Sequence, residues 1–138
     1  MLYPTVSQAN SILCPWVPHP YGYGQASCQG TPAFPVRTYR IPAAGSGRNS
    51  LYAVFYDQQT NGYWGIEETR YTQAPLLATP TTTRTVDGRR YLFFANGSHL
   101  QTVAFVQNNT AYWVENSLLD DLSNAEMFAI ARSLKPLG

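Results

Sequence analysis

The side chains able to do chemistry are few and poorly spaced for catalysis. The 138 residues include eight acids and two histidines. Glu67 and Glu68 are adjacent in a stretch that reads as a strand, so they point to opposite faces. They cannot be the facing carboxylate pair of a glycosidase unless another acid joins one of them. Asp120 and Asp121 precede a helix and supply negative charge to the positive end of its dipole. His19 lies in a proline-rich stretch and His99 in or beside a hairpin turn. Neither has a Ser or Cys at the spacing of a nucleophile motif. Gly22-Tyr23-Gly24 lacks the strand before and helix after that a phosphate loop needs. Asn96-Gly97-Ser98 and Asn108-Asn109-Thr110 match glycosylation sequons, but turn formation accounts for both. Cys14, Cys28, His19 and His99 give no metal-ligand spacing, so neither a metal nor a cofactor is expected.

Aromatic side chains carry more information. They make up 14% of the chain and include ten tyrosines. In a strand, Tyr63 and Trp64 face opposite sides, and so do Tyr112 and Trp113. One ring of each pair is surplus to a core on one face, unless both faces are covered. Exposed rings beside Glu67, Glu68 or Arg70 would suit a carbohydrate or a partner protein, through stacking and amphipathic contact. The alternative is a sheet with the helix on one face and the N-terminal arm on the other, burying every ring. The two cysteines lie in a Pro/Gly/Tyr-rich stretch with little else to hold a shape. A Cys14–Cys28 bridge would close a loop of about 15 residues, worth roughly 3 kcal/mol. Sparse cysteines in such a segment suit an oxidising compartment, and the bridge is expected; the alternative is two unrelated buried thiols.

The elements that must position these groups are legible from periodicity and turn chemistry. Residues 90–134 read as three strands and one helix. Tyr91 to Phe94 stops at Asn96-Gly97, a pair that favours a tight hairpin with φ > 0 at both turn positions. Leu100 to Val106 returns, Asn108-Asn109 turns again, and Thr110 to Glu115 is the third strand. Ser123-Asn124-Ala125-Glu126 fits a capping box, with Leu122 placed to staple onto Met127. Met127, Ile130, Ala131 and Leu134 then form one apolar stripe. Arg132 and Lys135 sit at the negative end of the dipole, and Pro136 prevents extension. Earlier strands are Val36 to Ile41, Leu51 to Tyr56 and Tyr63 to Tyr71, with a turn at Gln58 to Gly62. Thr82 to Val86 pairs with Arg89 to Phe94 across Asp87-Gly88, a strong hairpin signal. The fold expected is α+β: an antiparallel meander sheet of five to seven strands, with a C-terminal amphipathic helix packed on one face.

Length bounds this to one domain with a core of its own. Residues 1–35 hold most of the prolines and read as an arm of extended coil and turns, followed by a single domain over 36–138. The aromatics Trp16, Tyr21 and Tyr23 favour an arm lying on the domain over a free linker. A net charge of +1 leaves no basic footprint for nucleic acid. No run of 18 apolar residues marks a membrane span. Met1 is followed by no signal-peptide pattern, so any export signal or anchor is expected to lie outside this chain.

Several blocks have a familiar pattern: Arg37-Thr38-Tyr39-Arg40-Ile41, Tyr63-Trp64-Gly65-Ile66-Glu67-Glu68-Thr69, Ala74-Pro75-Leu76-Leu77 and Val86-Asp87-Gly88-Arg89-Arg90-Tyr91. They continue with Tyr112-Trp113-Val114-Glu115-Asn116-Ser117-Leu118 and with Leu122-Ser123-Asn124-Ala125-Glu126-Met127 running into Ile130-Ala131-Arg132-Ser133-Leu134. From Val36 to Leu134 the chain resembles the region that follows the catalytic domain in actinobacterial LCP (LytR-CpsA-Psr) proteins. These are envelope phosphotransferases that move glycopolymers from polyprenyl-phosphate carriers onto peptidoglycan. Nothing in this chain matches their catalytic domain, so no catalytic residue carries over, and the Cys14-to-Cys28 segment departs from the pattern. The resemblance implies a non-catalytic accessory module of an exported envelope protein, outside the cytoplasm and contacting peptidoglycan or glycopolymer. The alternative is a protein–protein interaction or assembly module that uses the aromatic arm. A small hydrolase comes third. The residues expected at a binding surface are Tyr63, Trp64, Glu67, Glu68, Arg70, Tyr112 and Trp113, on the sheet face away from the helix.

Overall fold

A computed structural model describes the backbone of residues 2–3, 16–19, 22–25, 36–41, 50–57 and 60–136, and the side chains of 36–41, 50–57 and 60–134. Its centre is a seven-stranded sheet, antiparallel at every pairing. The strands are β1 (Arg37–Ile41), β2 (Ser50–Asp57), β3 (Gly62–Thr69), β4 (Thr82–Val86), β5 (Arg89–Asn96), β6 (His99–Gln107) and β7 (Thr110–Glu115). One helix, α1 (Asn124–Ser133), follows them and packs on β6 and β7. This is the expected α+β plan.

The spatial order is β1-β2-β3-β7-β6-β5-β4. Two meanders, β1 to β3 and β4 to β7, therefore join edge to edge through the β3–β7 pair. Residues 70–81 carry the chain from β3 to the far edge at β4, through a short 3-10 turn at Pro75–Leu77. That crossover lies over the sheet face opposite the helix, where Ala74 and Leu77 are buried with Ala104, Ala111 and Trp113.

Turn chemistry explains the hairpins. Asp87 and Gly88 both take positive φ (52° and 78°), as do Asn108 and Asn109 (50° and 59°), so both are two-residue turns with the primed twist. The Asn96-Gly97 turn differs from expectation. Asn96 pairs with His99, the turn residues are Gly97 and Ser98, and only Gly97 has positive φ (62°). A register shift between Phe94 and Ala95 leaves Gln101 on β6 without a partner on β5. The register of Leu92 to Phe94, continued, would close on a three-residue turn, and the extra residue reduces it to Gly97 and Ser98.

The helix has its capping box. The Ser123 hydroxyl accepts from the Glu126 N–H, and the Glu126 carboxylate accepts from the Ser123 N–H, each at 3.1 Å. Met127, Ile130, Ala131 and Leu134 join Leu122 in one core with Ala53, Phe55, Trp64, Ile66, Tyr91, Phe93, Val103, Phe105 and Val114. The Asn124 amide ties the helix start to the β5–β6 hairpin, accepting from Leu100 N–H at 2.9 Å and donating to Ser98 C=O at 2.8 Å.

Two expectations for the arm meet the described residues. Trp16–His19 pairs antiparallel with Gly22–Gln25, a hairpin where coil and turns were expected, and Leu2–Tyr3 pairs with Lys135–Pro136. Pro18 is tolerated because a two-stranded ribbon has free edges where a missing N–H costs nothing. Cys14 and Cys28, and hence the expected bridge, lie outside the described residues.

Candidate ligand-binding face

Alternation along the strands assigns each side chain to the helix side or the far side. Trp64 is on the helix side, 2% exposed, stacked on Phe55 with centroids 4.4 Å apart. Its indole N–H has no hydrogen-bond partner among the described residues. Tyr112 is also on the helix side, half-buried and stacked on Phe105. Glu68 is its cross-strand neighbour, and burial and that carboxylate both hold the Tyr112 phenol above its ordinary range. Trp113 faces the far side but is 2% exposed, beneath the crossover. Arg70 is exposed in the bend after β3. Of the seven residues expected at a binding surface, only Tyr63 and Glu67 reach the open part of the far face. Neither tryptophan is outward. The core on the helix side accounts for one, and the crossover, which periodicity does not reveal, accounts for the other.

Among the described residues, the part left uncovered spans β1, β2, β3 and one side of β7. Its rings are Tyr39, Tyr52, Tyr56 and Tyr63. Tyr39 stands opposite Tyr52 and carries the Arg37 guanidinium 5.3 Å from its centroid. Tyr56 stands opposite Tyr63, with the rings tilted and 5.2 Å apart, and its hydroxyl donates to the Asn61 side chain. Tyr63 is 60% exposed and Tyr39 43%.

Between these rings lie two carboxylates. Glu67 has Tyr52 across one strand boundary and Trp113 across the other. Glu115 stands opposite Gly65, one same-face step from Trp113, whose indole N–H donates to it at 2.9 Å. The Tyr52 hydroxyl also bonds Glu115. Burial, then repulsion from Glu115, raises the Glu67 carboxyl above the usual carboxylate range, while the Ser50 hydroxyl and the Trp113 N–H pull it back. The Tyr52 phenol is pushed up to about 12 by burial and by the Glu115 and Glu67 charges. Sequence reasoning left Glu67 without a partner acid; Glu115 is that partner. It was missed, with Tyr39, Tyr52 and Tyr56, because only the β2–β3–β7 register brings them together. The alternation Tyr52, Val54, Tyr56 was the available signal.

This arrangement can stack a flat ligand on exposed rings and accept hydrogen bonds through the carboxylates. Among the described residues no group of three or more His, Cys, Asp or Glu is placed to hold a metal ion. Compared with known protein families, with curated proteins and with solved structures, the chain matches none.

Proposed function

We propose that the chain is a non-catalytic glycan-contacting module of an exported envelope protein, and that the open face of β1, β2 and β3 is its contact surface. One observation carries this: Tyr39, Tyr52, Tyr56 and Tyr63 line a face that neither the helix nor the crossover covers, with Glu67 and Glu115 among them. Rings stack on the apolar faces of sugars, and fixed carboxylates accept from their hydroxyls. The resemblance of residues 36–134 to the LCP-associated region supports the envelope setting and a place outside the cytoplasm. Among the described residues, no helix is long and apolar enough to cross a membrane.

The test is retention on purified cell wall. Wild type is expected to be held. Tyr63→Ala and Tyr52→Ala are expected to lose retention while keeping most of their melting temperature. A wild type that passes unretained defeats the reading and leaves a protein–protein or assembly module in its place. The hydrolytic alternative draws on one observation, the up-shifted Glu67 beside Glu115, which is the pattern of an acid and a partner carboxylate. Release of reducing ends from the wall by wild type, abolished in Glu67→Gln, would establish it.

A further inference from the structure

Gly65 lies on the far face of β3, opposite Val54 of β2 and Glu115 of β7. Glycine weakens a strand interior, and its presence there often marks a close approach by another group. Conformational freedom is not the reason here, because Gly65 is not among the residues with positive φ. Space is the reason. A Cβ at Gly65 would stand 2.5 Å from the Tyr52 hydroxyl oxygen and 2.6 Å from two of its ring carbons, well inside van der Waals contact. Tyr52 starts opposite Glu67, and its ring reaches diagonally over the gap at Gly65. There its hydroxyl meets Glu115, the residue paired with that same glycine.

We propose that Gly65 is a positioning residue of the far face: the side chain it lacks lets Tyr52 lie across β3 with its hydroxyl on Glu115, and so sets an aromatic floor, flanked by two carboxylates, for an uncharged or amine-bearing sugar. This rests on the glycan reading and narrows it. Hydroxyl and amine hydrogens can bond Glu67 and Glu115, whereas a phosphate or uronate would meet them as like charges. The charged and titratable groups facing Tyr52 are Arg37 and Tyr39 from β1, Tyr56 from its own strand, Tyr63 and Glu67 from β3, and Glu115 from β7.

Gly65→Ala tests this with two readouts. The first is titration of ¹³C-labelled tyrosine rings, with the Tyr52 signal identified by its loss in Tyr52→Phe. In wild type that signal is expected to titrate near 12; in Gly65→Ala it should fall toward the ordinary 10.0, because the added methyl lifts the ring out of its burial and away from Glu115. The clash is with the far end of a flexible side chain, so the sheet survives it, and a melting temperature of Gly65→Ala close to that of wild type verifies that. The second readout is retention on insoluble chitin (uncharged), chitosan (amine-bearing) and immobilised polygalacturonate (carboxylated). Wild type should hold the first two and not the third. Gly65→Ala and Tyr52→Ala should weaken retention by about tenfold, as expected for loss of one stacked ring. An unchanged Tyr52 titration in Gly65→Ala overturns the positioning role. Preferential retention on polygalacturonate overturns the ligand class. A wild type held by none of the three, with the titration still moved by Gly65→Ala, overturns the glycan reading and upholds the positioning role.

Discussion

Glu67 sits in a strand with Tyr52 on one side and Trp113 on the other, and its ionisation is opposed by burial and by Glu115. A carboxyl whose folded-state pKa is raised favours folding below its unfolded value, and that contribution is lost as pH rises through the folded one. At neutral pH its charge therefore works against the fold. Glu67→Gln is expected to melt no earlier than wild type at pH 7, with any advantage closing by about pH 4, where an unperturbed Glu is itself protonated. Thermal melts across that range check the sign, and an early-melting variant at pH 7 would mean that the Ser50 and Trp113 bonds outweigh the repulsion. Tyr52 obeys the same rule further up the scale. Its contribution is whole below 10.0 and lost as pH climbs toward about 12, so Tyr52→Phe should lose less stability than wild type between pH 10 and 12. Trp113 is the opposite kind of residue, 2% exposed beneath Leu77 and Ala74. Trp113→Ala should cost about 3–5 kcal/mol in denaturant melts, the usual loss for a large buried ring. A near-neutral result would show that the crossover does not seal that face.

At the scale of elements, the connector from β7 to α1 is held by one amide. The Asn116 side chain donates to the Leu100 and Leu122 carbonyls, both at 2.9 Å, and accepts from the Ser117 and Leu122 N–H groups at 2.8 and 3.0 Å. Its backbone N–H reaches the Gln101 carbonyl at 2.9 Å, at the residue the register shift left over. A second clasp follows, with Ser117 and Asp121 bonded through both hydroxyl and backbone. Together they fix where the helix starts and so which face it covers. Asn116→Ala strands four part-buried backbone groups at once and should destabilise by at least about 2 kcal/mol, a fully buried unsatisfied group costing roughly 1–3. Ser123→Ala removes only the cap and should cost about 1 kcal/mol. Equal losses in urea melts would demote the Asn116 clasp to an ordinary turn. By contrast, the Arg132–Asp87 pair at 3.2 Å joins exposed side chains, and surface pairs of that kind add little.

For the whole molecule, the arrangement of two meanders leaves β1 and β4 as edges. All five residues of β1 are exposed, and it carries Arg37 and Arg40 on alternate faces. Charges on an edge strand discourage pairing with another chain. Replacing both arginines with valine is expected to produce concentration-dependent self-association, read by light scattering; a variant that stays monomeric would show that something other than charge guards this edge. The residues alone determined a good deal of this architecture. Period-two alternation, the Asp87-Gly88 and Asn108-Asn109 turns and the Ser123 capping box are local signals, satisfied within a few residues of chain, and they placed the strands and the helix. Even the Asn96-Gly97 hairpin was found, though one residue off. The order of the strands was beyond reach, because a turn says that neighbours pair and nothing about where a crossover lands. That crossover buried Trp113, the core on the helix side took in Trp64, and the aromatic residues expected on the surface were thereby divided between two cores. Glu67 with Tyr63 was legible; Glu115 and Tyr52 came to Glu67 only through the β2–β3–β7 register, since residues 52, 67 and 115 share nothing local in sequence. Local chemistry made the elements, and long-range pairing made the site.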